Sequence, residues 1–115
     1  MSKSNSRQLL YNIIAEIIRI SQVIHGLQYE DFYRDEKAYA SVTGSLKIIS
    51  EQERRVPTII RVKYALIPWN ELSELEGRIA GADPVNRPRI IWKIATETLP
   101  RIKPFLENLE KEMKV

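Results

Sequence analysis

At 115 residues, with 43% apolar and 29% charged side chains, the chain has room for one hydrophobic core but not two, and it reads as a single domain over 1–115. The absence of cysteine excludes disulfides and thiolate metal sites and makes a reducing cytoplasm the expected location. A net charge of +3, from 18 basic and 15 acidic side chains, permits an anionic partner without demanding one, and no uncharged apolar run approaches the roughly 18 residues of a membrane span.

Residues 1–6 are small and polar and are expected to form a flexible tail, with Ser6 as the N-cap of the first helix. The opening MSKSNSRQ lacks the apolar stretch of a signal peptide. From Leu9 onward, Leu10, Ile13, Ile14, Ile17, Ile18, Ile20, Val23 and Ile24 recur at spacings of three and four, which predicts an amphipathic helix despite the β-branched isoleucines. Gly26 supplies a left-handed stop. Residues 29–34 read as a short helical turn with Phe32 inward, and Asp35 is placed to cap a helix over 36–55 whose inner face is Tyr39, Val42, Leu46 and Ile49. Pro57 ends that helix or starts a new turn. A short helix over 58–64 follows, then Pro68 and Trp69 introduce a third long element over 70–80 with Leu72, Leu75 and Ile79 inward. Pro84 and Pro88 bracket an elbow, and the last helical stretch covers 89–114, where Pro100 and Pro104 should kink or break it. No segment alternates with period two. The expected fold is an all-α, up-and-down four-helix bundle with short additional helical turns.

Chemistry-bearing residues are sparse. His25 is the one histidine, and Arg19 stands before it in an R-x5-H spacing. Short patterns of this kind arise easily by chance, and a histidine at the end of a helix also has a structural role against the helix dipole. Glu71, Glu74 and Glu76 are close in sequence but spread around a helix axis, so they read as a solvated acidic edge and no metal site is expected. No Gly-rich phosphate loop and no nucleophile motif occurs, so no cofactor is expected. Basic residues gather at Arg54, Arg55, Arg61 and Lys63 and again at Arg78, Arg87, Arg89 and Lys93; they read either as a solvated face with ordinary ion pairs or as a surface that attracts phosphate. The aromatics are spaced as core, not as a stacking platform.

The runs IIAEIIRI, GLQYEDFYRDEKAYASV, LKIISE, KYALIPW and IIWKIATETLPRIKPFLENL together resemble the HepT-like branch of the HEPN family, and the spacing from Pro68 to Trp92 agrees without gaps. The resemblance implies a HEPN-type helical bundle, commonly the toxin half of a toxin–antitoxin pair. It further implies a metal-independent RNA endonuclease with paired sites at a homodimer cleft, partnered by an MNT-type nucleotidyltransferase antitoxin that adds AMP to a motif tyrosine. Counted from the Pro-Trp pair, the family motif is R-N-x-x-x-H-x-Y. In this chain the Arg position is Glu76, the Asn position Gly77, the His position Gly81 and the Tyr position Asp83. Metal-free cleavage needs a proton-transfer group and a cation for the phosphate. Gly81 carries no proton, and Glu76 repels phosphate by roughly 3 kcal/mol at about 5 Å and an effective dielectric near 20. Asp83 has no phenol to modify. The expectation is a degenerate ribonuclease homologue that keeps its partner-binding surfaces, with Arg78, Arg87, Arg54 and Arg55 as candidate RNA- or phosphate-facing groups. The alternatives are an active endonuclease working through Arg78, Asp83 or His25, and an RNA-binding module without catalysis.

Overall fold

The computed structural model describes residues 3–114, with side chains from residue 5 onward, and among them every regular element is helical. The first helix, α1 (Lys3–Ile24), buries Leu10, Ile13, Ile17 and Ile20 along one stripe, so the three-and-four spacing overrides the β-branched propensity. The helix begins earlier than the sequence suggests. Ser6 is buried inside it and does not cap it, and the tail expected over 1–6 is helical from residue 3, with the first two residues outside the described range. Packing explains the extension, because Arg7 in the first turns pairs with Glu110 at 3.0 Å and holds that end against the C-terminal helix.

Gly26 takes a positive φ of 78°, as a left-handed stop requires. In α2 (Tyr29–Arg34) the Asp31 carboxylate accepts the Gln28 N–H at 2.9 Å and Phe32 is buried. The Asp35 carboxylate accepts the Ala38 N–H at 3.0 Å and opens α3 (Glu36–Arg54), whose inner stripe is Ala38, Val42, Leu46 and Ile49. Asn12 donates to Gln52 at 2.9 Å, so α1 and α3 lie antiparallel.

Pro57 precedes the short α4 (Thr58–Lys63), as its missing N–H predicts. The single element expected over 70–80 is divided into α5 (Trp69–Ser73) and α6 (Leu75–Ala80) at Glu74, whose φ and ψ are −90° and −5°. The Ser73 hydroxyl donates to the Asn70 carbonyl at 3.0 Å, competing with the helical ladder at the joint. The last stretch is α7 (Arg87–Lys93), a π-helical turn Ile94–Thr98, and α8 (Leu99–Met113). Pro100 accounts for the widened turn. Its ring would strike the carbonyl four residues back, and reaching one residue further, as the Leu99 N–H does to Ile94, relieves that contact. Pro104 stands inside α8 without ending it. The four arms α1, α3, α5–α6 and α7–α8 close around one core.

Candidate functional site

The elbow lies between α6 and α7, over residues 81–86. Gly81 ends α6 in the ordinary helical region, with φ −78° and ψ −11°, and its N–H reaches Gly77 at 2.9 Å. The turn beyond is organised by Asp83. One carboxylate oxygen accepts the N–H groups of Val85 and Asn86, both at 3.0 Å, and the other accepts the Asn86 side-chain amide at 2.8 Å. Arg87 closes the elbow from the other side, donating from Nε to the Ile79 carbonyl at 3.0 Å and from Nη2 to the Ala82 carbonyl at 2.8 Å. The Ile79 carbonyl also accepts the Ala82 N–H at 3.3 Å, and the guanidinium adds a second donor there and ties down the Ala82 carbonyl just past the end of α6. Asp83 and Arg87, both read from sequence as site residues, are committed to holding the turn.

The Asn86 backbone N–H, followed by its side-chain amide, holds the Asp83 carboxyl below its usual range. Because the folded value is the lower one, the stabilisation is complete above the ordinary aspartate value of about 3.9 and is lost as pH falls through the depressed value. Amide exchange at Val85 and Asn86 is therefore expected to stay slow on acidification to about pH 4 and to accelerate only below it. In Asp83→Ala the same amides should exchange fast at every pH.

Glu76 forms an exposed ion pair with Arg54 at 3.3 Å, joining α6 to the end of α3. Such a pair adds little stability. Its consequence is electrostatic, since the Glu76 carboxylate neutralises Arg54 at the end of α3. Glu76 and Arg87 also line an open groove of about 400 Å³, together with Thr43, Lys47, Ile79 and Ala80. Thus the structure brings Glu76, Arg54 and Arg87 together on the α3–α6 side. Arg78 lies two residues on from Glu76 and pulls on Glu71, whose carboxyl is held below its ordinary value chiefly by its hydrogen bond to Arg101. Arg55 is exposed at the end of α3 and does not line the groove.

The R-x5-H spacing does not assemble into a site. Arg19 pairs with Glu16 at 3.5 Å, His25 is exposed at the end of α1, and no hydrogen bond joins them. The acidic trio separates as well, Glu71 toward Arg101 and Glu76 toward Arg54. Among the described residues no three His, Asp or Glu side chains are placed to hold a metal ion.

One polar centre escapes the sequence reading. Glu53 is only 1% exposed, and Arg61 of α4 donates both to its carboxylate and to its backbone carbonyl. The Arg61 Nε also reaches the Val56 carbonyl at 3.1 Å, and the guanidinium lies 5.4 Å from the centre of the Trp69 ring. A signal for it exists, because Val42, Leu46, Ile49 and Glu53 continue one stripe at spacings of four, three and four.

A helical bundle whose Pro-Trp-led helix pair turns through a polar elbow beside an open groove defines a class of small all-helical proteins, and comparison with known proteins names it. Residues 13–109 match the family described as Ribonuclease HepT-like, and the chain belongs to that family, within the HEPN group. It is similar to "Probable ribonuclease HepT" of Thermococcus cleftensis, 28% identical over 95% of this chain and 99% of that one. It is similar also to "Putative RNase MJ1216" of Methanocaldococcus jannaschii, 26% identical over 99% and 94%. A third relative is "Putative RNase TTE0752" of Caldanaerobacter subterraneus, 28% identical over 92% and 96%. No solved structure matches the chain. The protein is therefore ribonuclease-related, and no helix among the described residues is long and apolar enough to cross a membrane.

Proposed function

We propose that this protein is a catalytically silent ribonuclease homologue of a toxin–antitoxin type module in the cytoplasm. In this reading it forms a homodimer and serves as the binding or regulatory subunit for a small MNT-type nucleotidyltransferase. The family membership and the named relatives support the ribonuclease lineage. The observation that carries the silence is the make-up of the elbow: Glu76 neutralises Arg54 in the position the motif reserves for a cation, and Gly81 brings no titrating group to the turn. The chain's one histidine, His25, is exposed just past the end of α1 and does not belong to the elbow. A site without a proton-transfer group lacks a factor of about 10²–10⁴ in rate.

Co-expression with a small MNT-type nucleotidyltransferase, together with incubation of the purified chain with tRNA and mRNA, tests both halves. A stable complex and intact RNA are expected. Failure to co-purify in any stoichiometry overturns the partner. Chelator-resistant cleavage that disappears in Arg78→Ala overturns the silence and installs an active endonuclease in its place.

A further inference from the structure

The aromatic residues divide differently in the fold than their spacing suggests. Phe32 goes to the core, but Tyr33 beside it is 56% exposed. Tyr33 stacks on Tyr29, with ring centres 6.0 Å apart, and Tyr29 packs edge-to-face with Trp92, centres 6.2 Å apart. The Arg89 guanidinium lies 4.2 Å from the centre of the Tyr29 ring. These contacts join α2 to α7 and hold three rings and a planar cation beside one another. Along α7, Arg89, Trp92 and Lys93 line an open groove of about 490 Å³. Arg89 and Lys93 stand one helical turn apart, both exposed, and neither forms an ion pair among the described residues. Trp69 donates its indole N–H to the Tyr64 carbonyl at 3.2 Å, whereas the half-buried Trp92 has no acceptor for its own among the described residues.

We infer that the α2–α7 face binds an unpaired nucleic-acid strand, stacking a base on the exposed ring of Tyr33 and placing the flanking phosphates on Arg89 and Lys93. Two features select that occupant. An exposed ring takes the face of any base, and free cations one turn apart answer a chain that carries a negative charge at every nucleotide. An acidic peptide would satisfy the cations and leave the rings idle. The indole N–H of Trp92 adds a donor between the ring cluster and the cations, where a base edge or a phosphate oxygen can accept it. Glu97 lines the same groove one turn beyond Lys93 and sets its limit, since a carboxylate repels the next phosphate. Stacking and phosphate contact read neither sugar nor sequence, so the strand need carry no 2′-hydroxyl. The face shares no residue with the groove beside Glu76, and the inference stands apart from the silence of the elbow.

Fluorescence anisotropy of the full chain with labelled oligodeoxythymidylate and oligouridylate tests it. Both strands are expected to bind, within about three-fold of each other, and to quench tryptophan emission through Trp92, because Trp69 is only 7% exposed. Raising the salt from about 50 to about 200 mM should weaken binding roughly seven-fold, the response of a single strand to two neutralised phosphates. Tyr33→Ala alters an exposed residue and should weaken both strands about five-fold or more with the helical circular dichroism unchanged. Arg89→Ala should weaken them by about the same factor and flatten the salt dependence, and Glu97→Gln should tighten them about two-fold. Lys111→Ala, which removes an exposed cation near the far end of α8, should change nothing. Absence of binding by either strand at about 50 mM salt overturns the inference. Binding indifferent to both Tyr33→Ala and Arg89→Ala overturns this face as its seat. Polyglutamate bound more tightly than either strand, and unaltered by Tyr33→Ala, assigns the cations to an acidic protein and excludes the strand. Cleavage of oligouridylate beside undiminished binding of oligodeoxythymidylate overturns the silence of the elbow and leaves this site standing, so the two failures are told apart.

Discussion

Arg61→Ala is expected to destabilise the fold by about 3–5 kcal/mol, the range seen when one partner of a buried ion pair is removed. Small domains are stable by only about 5–15 kcal/mol, so the urea midpoint should fall steeply. The physical reason lies in what remains behind. Glu53 is 1% exposed, and Arg61 is its ion-pair partner; without the guanidinium its carboxylate is left buried and unpaired. The carbonyls of Glu53 and Val56 lose a donor in the same step, and the face of Trp69 loses its cation. Arg61→Lys should recover only part of the loss, because one ammonium cannot reproduce a planar fork that serves three oxygens. The decisive control is Arg61→Leu with Glu53→Leu. Replacing both partners removes the stranded charge, so the double variant should be more stable than the sum of the single losses allows. A loss under about 1 kcal/mol in Arg61→Ala would show that α4 is held by its apolar contacts and not by this centre.

The same region shows what a sequence can and cannot announce. Helix limits set by local chemistry were readable: Asp35 accepts an N–H from the first turn of α3, Gly26 has the positive φ that only a stop needs, and Pro57 begins a turn because it has no donor to lose. Limits set by distant contacts were not. Ser6 resembles a cap, yet packing against α8 carries the helix past it. The joint at Glu74 and the widened turn before Pro100 depend on which carbonyls find partners, a matter of geometry invisible to periodicity. The elbow divides in the same way. Its location followed from the Pro-Trp pair, but Pro84 and Pro88 do not bracket it: Pro84 lies inside the turn and Pro88 is buried in the first turn of α7. The duties of Asp83 and Arg87 did not, because both side chains bind backbone groups, and a backbone carbonyl has no letter in the sequence. Charge counting offered Arg87 and Arg54 as equals, whereas the fold makes one a helix cap and the other the counter-ion of Glu76.

Reversing two positions is expected to bring back RNA cleavage. Glu76→Arg combined with Gly81→His should raise cleavage by at least about 10²-fold over the wild-type chain, the lower end of what one positioned acid–base group supplies. Glu76→Arg replaces a repulsion of roughly 3 kcal/mol against phosphate with an attraction. It also frees Arg54, which now answers the Glu76 carboxylate at 3.3 Å, so two cations become available on the α3–α6 side. The backbone accepts the histidine, since φ −78° at residue 81 suits any L-residue. A Cβ there would lie 3.1 Å from the Gly77 carbonyl, so the end of α6 must yield by a few tenths of an ångström, whereas a side chain at Gly77 meets open space. Asp83 is left unchanged because its carboxylate holds the turn that follows residue 81. The regained activity should resist chelators, should vary with pH around the imidazole value of about 6.5, and should fall when Arg54→Ala is added. Gly81→His alone, with Glu76 still in place, should give much less, because a proton shuttle without a phosphate cation has no substrate held in reach. If the double variant folds, keeps its elbow amides protected and still leaves RNA intact, these two positions are not the reason for the silence.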